Sequence, residues 1–335
     1  MILRLSLLAC VFLALCSCRN DFTLEGDYQD LPVAYAFLDA EDERHFVRVE
    51  KAFLQSGGNA ETNAGIPDSI FYGSNDATII LENTRSGEST ELERVDGRDF
   101  DLDRDDGVFA TNPNVLYTVR DRDLPLSGGD GIRLTIQRPG QTDAVAITDL
   151  IDEIEINRPN ELVRVDRYAQ NLVMSWSKED NAAVYDVTIF FNIRELFPND
   201  PSANREIRLE WPVATAFVPG PDQTSERLVR FDVNNEAFYQ FIGNSLEPRA
   251  NVVRRFLSFD LRVSAAGQEV LDRRNLEGAN AGLTSSQSLP RYTNLMGGLG
   301  LVTSNTSTLR EGIMFDNISL DTLQTGIYTS ELGFR

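Results

Sequence analysis

The chain has 335 residues, with 31 Lys and Arg against 52 Asp and Glu, a single His, and a formal net charge of −21. That balance argues against nucleic acid, whose binding needs basic patches that displace counterions, and against docking of the polypeptide itself onto anionic lipid. Cys10, Cys16 and Cys18 are the only cysteines, so neither a disulfide framework nor a Cys-based metal site is expected downstream of them.

Residues 1–17 read as a bacterial lipoprotein signal peptide. Arg4 precedes the apolar run LSLLACVFLALCSC, which is too short to span a bilayer and gives way at once to polar sequence. Leu15 stands three residues before Cys18 and the small Ser17 just before it, the lipobox arrangement that makes Cys18 the expected lipidation site. Cys16 is disfavoured, because Leu15 is too large for the slot before a lipidated Cys; an ordinary secretory signal cut after Ser17 is the alternative. More than one acyl chain on Cys18 would suffice for stable anchoring, so membrane attachment is expected through lipid alone. Residues 18–30 read as an acidic tether.

Beyond residue 30, period-two apolar alternation dominates. Strands are expected at Val33–Leu38, Phe46–Phe53, Ala77–Leu81, Gly131–Gln137, Val145–Ile151, Leu172–Trp176, Val184–Ile193, Glu206–Trp211 and Phe256–Val263, the last with Leu257, Phe259, Leu261 and Val263 facing inward. Turn clusters such as Gly57-Gly58-Asn59, residues 127–131 and Pro219-Gly220-Pro221-Asp222 separate them. This predicts an all-β chain of two β-sandwich domains, immunoglobulin- or fibronectin-like, with one short helix in the second, at Asn235–Leu246. A helical turn around Leu320–Leu323 is the other helical signal. The chain divides near Asn157-Arg158-Pro159-Asn160, giving a first sandwich at 31–157 and a second at 158–335, with an insertion at Pro198–Glu226 and a C-terminal arm at 283–335 that packs back on the first domain.

Catalytic chemistry is sparse in the pattern. His45 is the one histidine any Ser-His-Asp or Cys-His device would have to use, and it lies in a strand-like run between Arg44 and Arg48 with no nucleophile elbow elsewhere; a partly exposed strand histidine is the expected reading. The run Asp99 to Gly107 is the metal candidate. Asp101, Asp103 and Asp105 alternate in a loop closed by Gly107 and could supply oxygen ligands to Ca²⁺, although Gly107 falls one position late and Asn112 stands where an EF-hand has its closing Glu. A solvated loop between strands is the competing reading. Gly297-Gly-Leu-Gly300 lacks the Lys and the following helix of a phosphate loop, so a glycine-kinked turn or bulge is expected. Trp176, Trp211, Tyr239 and Phe241 are candidates for a ligand surface, with Trp176 placed in the core by its strand. Paired carboxylates for glycoside hydrolysis are open to so acidic a chain.

Two resemblances follow from particular residues. Leu172 to Trp176, then Asn181 to Ile189 with Tyr185, resembles the opening strands of a fibronectin type III domain. More widely, the lipobox, Leu31–Leu38, His45–Phe53, Asp76–Glu82, the strands at Tyr117 and Gly131–Ile136, Asp149–Ile156 and Thr293–Leu301 resemble the Bacteroidetes lipoprotein family called domain of unknown function 4249, which ends near an Asn-x-x-x-Gly-Gly-Leu-Gly stretch. The chain lacks the cysteines and aromatic pair of that family's middle region. The resemblance implies outer-membrane placement facing outward and company with TonB-dependent receptors, and it implies no catalytic residue. Asp21, Glu25, Asp27 and Asp30 after Cys18 resemble a surface-export signal of these bacteria, and Asp68-Ser69-Ile70 and Asp321-Thr322-Leu323 fit their short O-glycosylation pattern at Ser69 and Thr322. The expected function is therefore that of a non-enzymatic binding or accessory lipoprotein working with a TonB-dependent receptor, with no cofactor beyond the calcium candidate. A structural or assembly role in the envelope, and a carboxylate-based hydrolase, are the alternatives.

Overall fold

A computed structural model describes residues 31–52, 60–280 and 290–335. The signal peptide, Cys18, the tether, Phe53 and the Gly57-Gly58-Asn59 turn lie outside the described residues. In chain order the strands are β1 (Leu31–Leu38), β2 (Arg44–Ala52), β3 (Thr78–Asn83), β4 (Ser89–Glu91), β5 (Glu93–Asp96), β6 (Val115–Arg120), β7 (Gly131–Gln137) and β8 (Ala144–Asp149). They continue as β9 (Ile156–Arg158), β10 (Leu162–Val163), β11 (Asn171–Ser177), β12 (Val184–Leu196), β13 (Arg205–Phe217), β14 (Leu228–Asn234), β15 (Val253–Ala266) and β16 (Leu299–Phe315). The helices are α1 (Ala60–Ala64), α2 (Pro67–Ile70), α3 (Asn235–Ser245), α4 (Gln268–Asn280) and α5 (Asn317–Thr325).

The chain is all-β in class, with sandwich-like packing around two apolar cores. In the first core the alternation of β1 and β2 turns Ala34, Ala36, Leu38, Val47 and Val49 toward Ile79 and Leu81 of β3 and Ile132, Leu134 and Ile136 of β7. In the second, Met174 and Trp176 of β11 and Val229 and Val233 of β14 face Val187, Ile189 and Phe191 of β12 and Phe259, Leu261 and Val263 of β15. The first core draws on residues between Ala34 and Leu150 together with Leu295 and Val302, and the second begins at Ile151. Two small sheets, β4-β3-β7-β8 and β14-β11-β9, pack on one nine-stranded sheet ordered β13-β12-β15-β16-β1-β2-β6-β5, with β10 beside β16.

That large sheet is continuous because β16 belongs to both halves. Leu299 to Ser304 pair in parallel with Val33 to Leu38 of β1, and Asn305 to Ile313 then pair antiparallel with β15. Gly298 and Gly300 allow the close entry: a Cβ on Gly300, whose φ is +130°, would lie 1.8 Å from the Ala34 carbonyl oxygen. A strand, not a helix, follows these glycines, in line with the kinked-turn reading. At the changeover the fully buried Ser304 hydroxyl donates to Leu38 O at 2.9 Å and accepts from the Ile151 amide at 2.9 Å, tying the end of β1 to the start of the second core. Ser304→Ala leaves both backbone groups without that partner and is expected to cost about 1–3 kcal/mol in urea unfolding.

Two expectations are corrected. The described residues hold five helices, three of them in the second half, where one helix and a helical turn are expected: α4 escaped the pattern because its sequence is polar almost all round, and it is held on the sheet by the Thr303 hydroxyl donating to Glu269 at 2.9 Å. α3 sits where expected, capped by the Asn234 side chain accepting from the Glu236 amide, with Phe238, Tyr239 and Ile242 turned inward and Phe241 half-buried. In β15 a register shift opposite Asn192 and Ile193 skips Leu257, so Phe256 rather than Leu257 joins the core.

Candidate functional site

The sheet β14-β11-β9 buries one face and presents the other. On β11, Met174 and Trp176 point inward and Val173 and Ser175 outward; on β14, Val229 and Val233 point inward and Leu228 and Arg230 outward. β9 departs from simple alternation. Ile156 is opposite Trp176 and Arg158 is opposite Ser175, so Asn157 is the extra residue of a bulge. Without it Arg158 would share the inward face with Ile156; with it, Arg158 emerges on the outer face. The result is one rung, Arg158-Ser175-Arg230, running across three strands.

Two adjoining hollows meet at this rung and share Arg158 and Val173. One, of about 420 Å³, has Val173, Ser175, Leu228 and Arg230 as its floor and the turn Asp222–Ser225 as its wall. The other, of about 270 Å³, lies toward Pro159, Leu162, Arg164 and Asn171. The wall is set by local bonds: the Gly220 amide donates to Gln223 Oε1 at 3.0 Å, the Thr224 hydroxyl donates to Gly220 O at 2.9 Å, and the Ser225 amide donates to Leu228 O at 2.8 Å. β9 is held by Glu155 and Ser177, each donating its amide to the other residue, and by Arg310 donating to Ile156 O at 3.0 Å.

The cations of the site differ in their partners. Arg230 forms a bidentate pair with Asp232, both bonds at 2.8 Å, and Arg164 pairs with Asp166 at 2.6 Å. That hydrogen bond holds the Asp166 carboxyl below the usual carboxylate range. The Arg158 guanidinium makes no hydrogen bond or ion pair with any described residue. Beneath it Ser175 is 7 % exposed, and its hydroxyl makes no hydrogen bond among the described residues. A guanidinium without an acid partner, beside a hydroxyl on the floor of the hollow and flanked by apolar Val173 and Leu228, is an arrangement that can hold an oxyanion.

A further cleft of about 360 Å³ lies between β3 and β5, lined by Ile79, Leu92, Glu91, Glu93, Arg94 and Tyr117. Burial raises the Tyr117 hydroxyl above its ordinary pKa, with the Arg94 charge directly across the strand pair opposing it.

The residues singled out by sequence lie elsewhere. Asp101, Asp103 and Asp105 are exposed in the loop after β5, where Arg104 turns back to Glu50 at 2.8 Å and Asn114 donates to Leu102 O at 2.5 Å. The three carboxylates do not converge: no group of three His, Cys, Asp or Glu among the described residues could hold a metal ion, and the calcium expectation is corrected to an open loop. Ser69 is half-buried in α2. Thr322 is half-buried in α5, its hydroxyl donating to Ile318 O at 3.0 Å. Trp176 is fully buried 5.4 Å from the Tyr185 ring, Tyr239 donates its hydroxyl to Ser319 O, and Trp211 stacks on Phe241 at 5.1 Å, so the four aromatics serve packing.

His45 is corrected from partly exposed to buried, at 2 %, with Nε2 3.8 Å from Asp121. Burial lowers its pKa, and the carboxylates of Asp121, Asp42 and Asp39 only partly oppose this. The neutral folded form therefore resists protonation more than the unfolded chain, and the stability it contributes is lost as pH falls from the unfolded value of about 6.5 toward the lower folded one. The melting temperature is expected to fall through that window, and His45→Gln to flatten the fall.

Sequence reading missed Arg158 and Ser175 as site residues, because their juxtaposition depends on the bulge and on a strand pairing. Among the described residues no helix is long and apolar enough to cross a membrane. No family model matches the chain, and the search of curated proteins found no match.

Proposed function

We propose that the chain is a non-enzymatic binding lipoprotein of the outer membrane, anchored through acyl chains on Cys18, exposed at the cell surface, and working beside a TonB-dependent receptor. The observation that carries the binding role is the unpaired Arg158 over the unpartnered Ser175 hydroxyl, in a hollow of about 420 Å³. That size falls within the range of small-molecule sites, roughly 300–1,000 Å³. The lipobox at Leu15–Cys18 supports the anchor, and the likeness of several segments to the Bacteroidetes lipoprotein family supports the receptor as partner.

The test is a pull-down of the lipidated protein from native outer membranes, with mass spectrometry of its companions. A TonB-dependent receptor is expected in stoichiometric amount, and Arg158→Glu is expected to weaken its recovery if ligand bridges the two. Absence of any receptor overturns the accessory role. A second reading, a structural spacer of the envelope, draws on β16, whose 17 residues run through both halves of the sheet; secretion or motility components in place of a receptor would favour it.

A further inference from the structure

We infer that the Arg158 hollow recognises a hydroxylated carboxylate, the chemistry of a sugar acid, an inference that rests on the binding role proposed above. The charges around the hollow select among anions. Arg158 is the one cation of the rung without an acid partner among the described residues, since Arg230 is already held by both oxygens of Asp232. One free guanidinium matches a monoanionic carboxylate, which it can grip through two parallel hydrogen bonds. Asp222 in the wall disfavours a second negative charge on the ligand. The Asp222 carboxylate, with Ser175, suits hydroxyl groups: an ionised carboxylate only accepts, while a serine hydroxyl both accepts and donates. Val173 and Leu228 offer apolar contact to the carbon face of a ring. The hollow thus joins one positive charge, hydroxyl-binding groups and an apolar floor, a combination that a simple phosphate would use only in part.

The site is preorganised in its backbone. The bulge at Asn157 fixes where Arg158 leaves the sheet, and the pairing Arg158-Ser175-Arg230 fixes the spacing of the rung. Binding then needs ordering of the Arg158 side chain and little else.

The experiment is calorimetric titration of the full-length protein in detergent with glucuronate, glucose and inorganic phosphate. Glucuronate is expected to bind saturably, with glucose and phosphate each at least about tenfold weaker, the scale of one lost charge-assisted hydrogen bond. Arg158→Gln is expected to raise the glucuronate Kd about tenfold to a hundredfold, Arg158→Lys less, and Ser175→Ala about twofold to tenfold, with melting temperatures showing that each variant folds. Asp222→Asn should narrow the preference for glucuronate over phosphate. Absence of saturable glucuronate binding, equal affinity for glucose, tighter binding of phosphate, or an unchanged Kd in Arg158→Gln overturns the inference. If glucuronate fails while the wild-type protein still captures a receptor, the ligand class falls and the binding role stands; if both fail, both fall.

Discussion

Gly300→Ala is expected to destabilise the protein by at least about 3 kcal/mol, because two penalties meet at one residue. Its φ of +130° is reached routinely only by glycine, and the added Cβ would lie 1.8 Å from Ala34 O and 2.7 Å from Ala34 C. Neither atom can swing aside, since both belong to the backbone of β1 at the rung where Ala34 pairs with Gly300. Gly312→Ala separates the two penalties: Gly312 also has positive φ, at +75°, but nothing lies within 4 Å of its Cβ position. It should cost only the conformational part, about 1–2 kcal/mol. Urea unfolding of the two variants side by side makes the comparison, and equal losses would show that the steric contact at the seam is relieved.

Arg254→Ala is the second large effect, expected at about 3–5 kcal/mol. Arg254 and Glu195 are each 1 % exposed, and the guanidinium donates to Glu195 Oε1 at 2.9 and 2.8 Å and to Leu332 O at 2.8 Å. Arg205 reaches the other carboxylate oxygen at 2.8 Å. Truncation strands a buried carboxylate and frees the segment around Leu332 and Gly333, which is otherwise held to Arg254 by side chain and backbone. Replacing both members, Arg254→Met with Glu195→Leu, should recover much of the loss, because the desolvation of both charges disappears together. The pair also leaves an acid signature. Burial pushes the Glu195 pKa up, but hydrogen bonds and charge from Arg205 and Arg254 outweigh it and hold the group below its ordinary value. A carboxylate so depressed contributes stability that is complete above the unfolded pKa, about 4.3, and is lost as pH falls through the folded one. Chemical denaturation between about pH 5 and 2 should show this loss in the wild type and a smaller one in Glu195→Gln.

Most of the sheet was legible because period-two alternation is dictated by the pleat wherever one face is buried. β7 lies at Gly131–Gln137 as the pattern predicts, and the expected β1, β3, β11 and β12 differ only at their ends. β16 was not, since Thr303, Ser304 and Thr306 occupy its buried positions and read as loop residues until their hydroxyl partners are known. Leu257 was misassigned for a related reason: a bulge inserts one residue and reverses the faces beyond it, and no apolar pattern announces it. The candidate site shows the same limit. Asn157-Arg158-Pro159-Asn160 stands out in sequence as a break between apolar runs, yet only pairing with β11 brings Arg158 over Ser175. The acidic loop at Asp101–Asp105 was conspicuous by composition, and composition says nothing about whether carboxylates converge.

The sharing of β16 has a consequence for the order of events in folding. Ser304 meets Leu38 across 266 residues, so the first core acquires its last strand only when the far end of the chain arrives. Until then β1 has its pairing edge open, a template for association with other chains. Closing so long a loop adds little to the equilibrium cost, which grows only with the logarithm of length, but such non-local pairing slows the search. Refolding should therefore be governed by docking of the final strand, with the two cores gaining full protection together rather than in sequence.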